Sequence, residues 1–505
     1  MQYISTRGGN YGYTSAQAIL QGIAPDGGLL VPERIPELTP DDILSLKDMD
    51  YCARAVRILS EFLDDYTREE LEEYVGLAYG EEKFGEDPAP LVRLNKYNEY
   101  EYMLELWHGP TSAFKDLALQ LLPHLLTAAS RKTGDGRKVC ILTATSGDTG
   151  KAALEGFRDV PGTAVAVFYP SEGVSETQRL QMVTQEGGNV TSIGVQGNFD
   201  DAQAGVKALF ADQGLGEQLD AAGVMLSSAN SINWGRLAPQ IVYYFSAYAD
   251  MLKSGYIEPE EKINVVVPTG NFGNILSAWY AMQMGLPIHK LVCASNRNKV
   301  LSDFIRNGVY DRRREFYRTL SPSMDILVSS NLERLLFEMS GRDAGAVSGW
   351  MASLAASGSY SLEPGLLRRI QEHFVGGFSD DVGTLRTIRE VYDRTDHLID
   401  THTAVGFNVY GRYQSRSGDQ SKTVYVSTAN PFKFTEAVSD ALYGVGYRKG
   451  RSTRVLFEEL SAECGMKVPE GLDGLENRPV LHGSVVAREG MKAAVLDFLG
   501  LENGA

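Results

Sequence analysis

The alternation of short apolar runs with helical stretches constrains the fold of this chain more than any other feature. Residues 138–142, 163–168 and 189–193 are apolar or β-branched runs of strand length, and the stretches 149–157 and 175–185 between them follow a helical pattern. Strands buried on both faces of a parallel sheet read as continuous apolar runs. Because strands and helices alternate at the spacing of βαβ units, the sequence predicts an α/β fold with parallel-rich sheets flanked by helices.

The same rhythm returns in the second half of the chain. Apolar runs at 263–267 and 291–294 enclose a helical stretch at 274–284, and a last buried run follows at 423–426. Between 297 and 398 the charge density rises and strand runs fade, so this part is predicted to be a mostly helical elaboration.

The sequence also predicts a division into domains. Residues 33–85 carry apolar side chains at spacings of three and four, which is typical of helices. We therefore expect a mostly helical N-terminal domain at 1–95, a smaller α/β domain at 135–255, and a larger domain formed by 96–134 plus 256–505. The chain has 505 residues, enough for about three domains.

Charge and cysteine content exclude several classes of protein. With 48 Lys and Arg against 65 Asp and Glu, the net charge is −17, which argues against a broad nucleic-acid-binding face. The four cysteines lie far apart without a CxxC motif, as expected of free thiols in a reducing compartment, and we expect no metal site. No signal peptide and no apolar run of about 18 residues are present, so a soluble cytoplasmic protein is expected.

Small polar residues follow three of the predicted strands, where ligands of α/β proteins bind. In the loop 143–150, Gly147 permits close approach of a ligand to the backbone, and the helix that follows attracts anions; an ordinary helix cap is the alternative. The loop 268–274 has two glycines flanked by asparagines and suits an anion, or it is a turn without a ligand. Ser427 and Thr428 bring hydroxyls to the end of the last strand.

One lysine stands out because of its neighbours. Lys115 directly precedes an apolar helix and follows Phe114, so desolvation and the helix dipole should favour its neutral, nucleophilic form. The alternative is a surface lysine whose amine reaches water.

Two chemistries compete for this lysine. Ser112 and Lys115 form an SxxK pattern, and Lys132-Thr133-Gly134 supplies the KTG of penicillin-recognising acyl-serine enzymes, although no SDN is present. The second chemistry is a Schiff base between the lysine and pyridoxal phosphate, which needs a phosphate cradle and a partner for the pyridine nitrogen. The strand-end loops offer both.

Taken together, these segments resemble the threonine synthases, a family of pyridoxal phosphate enzymes with the tryptophan-synthase β-like fold (fold type II). SGDTG at 146–150 and GNFGN at 270–274 alone would fit several amino-acid lyases and dehydratases, whereas SANSIN at 228–233 and the long N-terminal extension point to this family. The further matching segments are 5–9, 24–29, 108–116, 401–405 and 428–434.

The resemblance implies a role for each matching residue. Lys115 would carry pyridoxal 5'-phosphate, in the larger domain, and act as the catalytic base. Thr428, or Ser427 beside it, would meet the pyridine nitrogen, and Asp148 stands where related enzymes have an asparagine at the ring hydroxyl. The phosphate cradle would be Gly270, Asn271, Phe272, Gly273 and Asn274. The substrate carboxylate would face Ser146, Gly147 and Thr149, and the substrate phosphate would face Asn230, Ser231 and Arg236, with Lys151 as a further candidate.

The implied reaction converts O-phospho-L-homoserine and water to L-threonine and phosphate by γ-elimination and β-hydration, the last step of threonine biosynthesis. The alternatives are another lyase of the same fold, such as a serine/threonine dehydratase, and a catalytically silent relative. The expected partner is the small-molecule substrate, without nucleic acid or membrane, in a monomer or a homodimer.

Overall fold

A computed structural model describes residues 1–94, 99–145, 147–171 and 174–501. The N-terminal region begins with a small antiparallel pair of strands, β1 and β2, and continues with helices whose first turns are mostly fixed by side chains. Thr14, Thr39 and Thr67 each form a capping box, in which the threonine and the third helical residue satisfy each other's backbone N–H groups. The elements are β1 (Tyr3–Ser5), α1 (Ser15–Gln21), β2 (Leu30–Pro32), α2 (Pro40–Ser45), α3 (Tyr51–Leu59), α4 (Arg68–Tyr79) and α5 (Glu81–Phe84).

The larger sheet has six strands in the order β13-β10-β9-β14-β4-β3. Every neighbouring pair is parallel except β3 with β4. Its strands are β3 (Leu91–Arg93), β4 (Glu101–Glu105), β9 (Ile263–Pro268), β10 (Ile288–Ser295), β13 (Phe374–Phe378) and β14 (Thr423–Ser427).

The smaller sheet has five strands, all parallel, in the order β15-β7-β6-β5-β8. Four of them come from one continuous part of the chain, and the fifth comes from near the C-terminus. The strands are β5 (Lys138–Ala144), β6 (Thr163–Pro170), β7 (Val190–Val195), β8 (Val224–Ser227) and β15 (Val485–Val486).

Helices connect and cover both sheets. From Lys115 to residue 283 they are α6 (Lys115–Leu119), α7 (Leu122–Thr133), α8 (Asp148–Gly156), α9 (Glu176–Val183), α10 (Phe199–Ala211), α11 (Gln213–Ala221), α12 (Trp234–Lys253) and α13 (Gly273–Gln283). From residue 300 onward the elements outside the two sheets are α14 (Val300–Asn307), β11 (Val309–Asp311), α15 (Leu332–Met339), α16 (Ala344–Ser357), β12 (Ser359–Ser361), α17 (Pro364–His373), α18 (Asp381–Thr395), α19 (Thr401–Ser417), α20 (Thr435–Tyr443), α21 (Thr453–Cys464) and α22 (Met491–Leu499).

Helix α12 is the central helix of the molecule. Nearly all of its side chains are buried, and it packs against α3, α6 and α13. Its first turn is fixed by Asn233, whose side chain accepts a hydrogen bond from Gly235 N and donates one to Ile19 O. A helix that is buried on all sides belongs in a core, so α12 places its first turn deep inside the protein.

The α/β class with parallel sheets is confirmed. The region 297–398 contains α14 to α18, as a helical elaboration requires, but also β11, β12 and β13, which the sequence did not predict. The domain boundaries stay a prediction; β15 and α22, which pack on the smaller sheet and on α10, lie in the part assigned above to the larger domain.

In the described part of the chain, no helix combines the length and the apolar character that crossing a membrane requires.

Candidate functional site

Lys115 is the first residue of α6, and the backbone before it pairs with the loop after β14. Phe114 N donates to Thr428 O at 2.9 Å, and Asn430 N donates to Ser112 O at 3.0 Å. Ser112 adopts a positive φ of 59°, which turns the chain into the helix. Two segments more than 300 residues apart in the sequence therefore meet at one point, the carboxyl end of β14.

The Lys115 amine is buried and faces oxygen atoms. Nζ lies 3.4 Å from Asp148 Oδ2 and 3.4 Å from Ser323 Oγ, and the residue is only 8% exposed. Burial lowers the pKa of Lys115; Asp148 opposes this effect, and the charges of Arg236 and Lys433 add to it. The amine is thus shifted toward the neutral form that a nucleophile or base requires.

Asp148, the first residue of α8, is the centre of a buried polar cluster. Oδ1 accepts a hydrogen bond from Gln178 Nε2 at 3.1 Å and lies 3.1 Å from Lys433 Nζ, while Oδ2 accepts one from Ser323 Oγ at 3.0 Å. Burial by itself raises the pKa of Asp148, but Lys433 and Lys115 outweigh it and hold that pKa well below its usual range. The carboxylate is therefore ionised inside the protein.

The loop 270–274 leads from β9 into α13 and leaves the helix start open. Phe272 occupies the N-cap position with a φ of 65°, and no side chain caps the helix. Gly270 lies against the segment that holds Ser323, because a Cβ at this position would come within 2.7 Å of Ser323 O. Uncapped N–H groups at the start of a helix form an anion site, as a phosphate requires.

Asn274 supplies a second indication that an anion belongs here. Its side-chain oxygen accepts hydrogen bonds from Tyr243 OH, at 2.7 Å, and from Tyr244 OH. Its Nδ2 is buried without a partner among the described residues. An unpaired buried donor beside an uncapped helix start fits the phosphate of pyridoxal phosphate.

The two hydroxyls after β14 differ in their surroundings. Ser427 Oγ accepts from Trp107 Nε1 at 3.0 Å and lies 3.2 Å from Thr403 Oγ1. The Thr428 hydroxyl forms no hydrogen bond within the described part of the chain, and Thr428 is 5% exposed. Of the two, Thr428 is the one whose hydroxyl is available.

The loop before α8 combines close packing with a second open helix start. Gly147 has a φ of 149°, and a Cβ there would come within 2.4 Å of the Gln178 side chain, so no other residue fits without a shift. The N-cap residue Gly147 offers no side-chain cap, and Thr145 Oγ1 accepts hydrogen bonds from Gly147 N and Gly150 N, both at 3.0 Å. The N–H groups of Asp148 and Thr149 keep no partner among the described residues, and Thr149 is half-buried. Ser146, the remaining predicted residue of this loop, lies outside the described residues.

Arg236, in the first turn of α12, is a buried guanidinium without an acidic partner in the described residues. Nη1 donates to Ala229 O at 2.7 Å, whereas Nε has no partner. Burial lowers the pKa of Arg236 to about 10. A buried cation without a counter-charge is costly, so this side chain suits an anionic ligand.

Asn230 and Ser231 belong to the loop that leads into α12, and this loop contacts two other loops. Asn230 is exposed, and its Oδ1 accepts from Thr143 Oγ1 at 3.3 Å. Ser231 Oγ accepts from Asn331 Nδ2 at 3.2 Å, and the same Nδ2 donates to Asn271 O at 3.2 Å. Asn331 therefore ties the SANSIN loop to the loop at 270–274.

The other two lysines named from the sequence lie elsewhere. Lys151 Nζ pairs with Glu155 at 3.0 Å and with Gln185, so two of its three donors are used within the protein. Lys132 pairs with Glu70 at 2.6 Å near the end of α7, and Gly134 ends that helix in the left-handed conformation. The KTG segment is a helix terminus, and the acyl-serine interpretation is wrong.

The sequence interpretation missed several polar residues of the site because distant parts of the chain supply them. His402 accepts a hydrogen bond from Ser323 N at 3.2 Å through Nε2, and its Nδ1 lies 2.8 Å from Asp400 Oδ1. This pair holds Ser323 near Lys115. His402 and Lys433 belong to matching segments quoted above, 401–405 and 428–434, which were the available signal; the other missed residues are Gln178, Ser323 and Asn331.

Comparison with known proteins identifies the family. Residues 2–79 match the family described as threonine synthase N terminus, residues 83–429 match pyridoxal-phosphate dependent enzyme, and residues 403–486 match threonine synthase, C-terminal. A threonine synthase of Pseudomonas aeruginosa is 42% identical over 452 residues, which cover 88% of this chain and 91% of that protein. The chain belongs to the threonine synthase family.

Solved structures agree with this membership. A threonine synthase of Brucella melitensis described as PLP bound is 36% identical with a TM-score of 0.87, and the yeast threonine synthase is 31% identical with a TM-score of 0.88. Each comparison covers 99% of both chains. The resemblance to threonine synthases, the fold type II class and the pyridoxal phosphate cofactor predicted from the sequence are thereby confirmed.

Proposed function

We propose that this member of the threonine synthase family converts O-phospho-L-homoserine and water to L-threonine and phosphate, and that the residues described above do so. The observation that carries this assignment is a pair of separate cationic groups in one buried site. They are the Lys115 amine and the Arg236 guanidinium, which has no acidic partner among the described residues and whose charge lowers the pKa of Lys115. A lyase that acts on an unphosphorylated amino acid has no need of the second feature.

The cofactor is assigned to the residues around Lys115. The Lys115 amine would bond the cofactor covalently, and Thr428 rather than Ser427 would meet its pyridine nitrogen. Its phosphate would be held by the loop Gly270, Asn271, Phe272, Gly273 and Asn274. Asp148, which lies beside the amine, would meet the ring hydroxyl. Pyridoxal phosphate, when bound, supplies an electron sink for negative charge that develops on substrate carbon.

The substrate is assigned to the opposite loops. Gly147 and Thr149, with Ser146, bind the α-carboxylate at the open start of α8. Arg236 binds the substrate phosphate, since a guanidinium offers two parallel donors to such an anion, and Asn230 and Ser231 complete its surroundings.

Lys115 has the central part in the movement of protons. The product has one proton fewer and one hydroxyl more at Cβ, and one proton more at Cγ, than the substrate has. Lys115 Nζ takes the proton from Cα, releases it to water, and then takes the proton from Cβ, which it delivers to Cγ after phosphate has left. Water adds its hydroxyl at Cβ and gives its other proton to the released phosphate, and Lys115 Nζ finally returns a proton from water to Cα. A single buried amine can serve neighbouring carbons on one face of the substrate, provided that it is neutral when it accepts a proton.

The further assignments concern the setting of the enzyme. All four cysteines are free thiols, and burial raises the pKa of Cys140 and Cys293 to about 12, which supports a cytoplasmic enzyme in a reducing compartment. The substrate is a small molecule. A monomer or homodimer without nucleic acid remains our prediction.

The test is release of phosphate from O-phospho-L-homoserine with threonine identified as the product. Arg236→Ala is expected to raise KM for this substrate about 10- to 100-fold, because it removes a charged hydrogen bond to the phosphate. Arg454→Ala is the control, since Arg454 pairs with Glu458 at the surface. Deamination of serine or threonine without phosphate release, or an unchanged KM in the Arg236 variant, would favour a dehydratase.

A further inference from the structure

Lys433 is a fully buried lysine that the function proposed above does not use. Its Nζ donates to Thr111 O at 2.8 Å and to Gln181 Oε1 at 3.3 Å, and it lies 3.1 Å from Asp148 Oδ1. The side chain has no exposed surface. An ammonium has three donors, and here each has an acceptor, so the residue is built to carry its charge inside the protein.

Asp148 lies between two amines. One carboxylate oxygen faces Lys433 at 3.1 Å, and the other faces Lys115 at 3.4 Å. An opposite charge at such a distance changes the proton affinity of a buried group by about 1–3 pH units. The Asp148 carboxylate therefore stabilises a proton on Lys115 strongly when it has no other cation beside it, and weakly when Lys433 already neutralises it.

We propose that Lys433 is a positioning residue that neutralises the Asp148 carboxylate and so keeps the proton affinity of the Lys115 nitrogen low enough for it to act as a base. The inference deepens the proposed function and rests on it. Without Lys433, Asp148 would be left with Lys115 as its nearest cation, and the attraction would stabilise a positive charge on Lys115 Nζ.

The other charged groups around Lys115 do not replace this pair. From α12, Arg236 adds a positive charge that also disfavours protonation of the amine. From α19, His402 accepts a hydrogen bond from Ser323 N through Nε2, and its Nδ1 lies 2.8 Å from Asp400 Oδ1. Its contribution to the lowered pKa of Asp148 is smaller than those of Lys433 and Lys115.

Two further groups lie on the neighbouring helices. Asp116, next to Lys115 on α6, accepts hydrogen bonds from Thr111 N and Thr111 Oγ1, and on α8 Lys151 is paired with Glu155. In the described part of the chain, Asp148 is the carboxylate in contact with the amine.

The test is a pH titration of the visible absorbance of the holoenzyme, whose midpoint reports protonation at the Lys115 nitrogen. In Lys433→Met, the midpoint should rise by about one pH unit, since the carboxylate loses its partner. In Asp148→Asn, it should fall, because Lys433 then acts on Lys115 unopposed. The double variant, Lys433→Met with Asp148→Asn, removes both charges, and its midpoint should be close to that of the wild type.

A matched control separates this effect from the loss of any buried lysine. Lys151→Met removes another buried amine from the neighbouring helix but leaves the Asp148 and Lys433 pair intact, so the midpoint should stay near that of the wild type. A shift in this control equal to that in Lys433→Met would overturn the proposal. So would an unchanged midpoint in a Lys433→Met protein that is folded by circular dichroism and carries its full complement of cofactor.

If Lys433→Met does not fold, the comparison of Asp148→Asn with the double variant decides. The double variant should have the higher midpoint by about one pH unit, and equal midpoints would contradict the proposal. The titration needs no substrate. Wild-type protein that fails to convert O-phospho-L-homoserine would therefore refute the proposed function, while the order of the four midpoints would still test Lys433.

The variants should follow the same order in the pH dependence of turnover as in the midpoints of the absorbance titration. With O-phospho-L-homoserine, the acidic limb of kcat against pH should move to higher pH in Lys433→Met and back in the double variant, because the base must be unprotonated. A uniform loss of kcat at all pH values, without movement of the limb, would indicate a merely structural role and would count against the proposal.

Discussion

The starts of the helices differ between the N-terminal region and the site. In the N-terminal region α1, α2 and α4 begin with capping boxes at Thr14, Thr39 and Thr67. At the site, α8 and α13 have no cap from the side chains of their N-cap residues, Gly147 and Phe272, both of which have positive φ.

The difference shows what each region is built for. A cap satisfies the free N–H groups of the first turn and stabilises a helix by about 1 kcal/mol. A first turn without a cap keeps those donors available for an anion. The N-terminal helices are thus arranged for stability of the apoprotein, whereas α8 and α13 gain their missing partners when ligands bind.

The largest expected effect concerns the Lys115 amine of the site. Lys115→Ala should reduce threonine formation by at least about 10³-fold, because it removes the base and the covalent link to the cofactor. Phosphate release measures the loss, and Lys132→Ala, a surface lysine paired with Glu70, is the control. More than a tenth of wild-type turnover in Lys115→Ala would remove this residue from the mechanism.

Removal of the cofactor should affect the two sets of helices unequally. At ligand concentrations 100 to 1,000 times Kd, binding stabilises a protein by about 3–4 kcal/mol, so the apoenzyme should unfold at a lower temperature. Hydrogen exchange should speed up at the backbone amides of residues 273–275 and stay the same in the first turn of α4. Equal acceleration in both places would mean that the open helix starts have no special link to the ligand.

A methyl group at Gly270 should weaken the cradle without unfolding the protein. In Gly270→Ala the new Cβ would come within 2.7 Å of Ser323 O, so the loop must shift, and cofactor affinity should fall about 10- to 100-fold. Fluorescence titration of the apoenzyme with pyridoxal phosphate measures this. Gly365→Ala, where a Cβ meets nothing within 4 Å, should bind as the wild type does.

The smallest effect is expected from a cap in the N-terminal region. Thr67→Ala should lower the free energy of unfolding by about 1 kcal/mol and leave kcat and KM unchanged. In the same helix, Gly76→Ala places the new Cβ in open space and should raise the free energy of unfolding by up to about 1 kcal/mol. Urea denaturation provides both values; a change in kcat would show that the two regions are coupled.

The sequence predicted the central strands well, for a physical reason. The runs 138–142, 163–168, 263–267 and 423–426 correspond to β5, β6, β9 and β14 to within two residues at each end, because strands buried on both faces are continuous apolar segments. It missed β4, which carries Glu101 and Glu105 at its ends, and β13, which contains Gly376 and Gly377. Both are short, and their neighbours in the sheet determine them more than their own composition does.

For the site, the residues that follow strands could be predicted, and those that pack beneath them could not. Lys115 and the loop 270–274 carry local signals, a lysine before an apolar helix and a glycine pair after a strand. Ser323 and Asn331 act through contacts with residues far away in the sequence, and no local pattern indicates such contacts.

The position of β15 has a consequence for biosynthesis of the protein. Val485 pairs with Gly194, so the edge of the smaller sheet at β7 has no partner until the end of the chain has been translated. At about 5–20 residues per second, a nascent chain exposes this edge for tens of seconds. An exposed strand edge is a template for aggregation, and a chaperone that covers it during translation should increase the yield of folded protein.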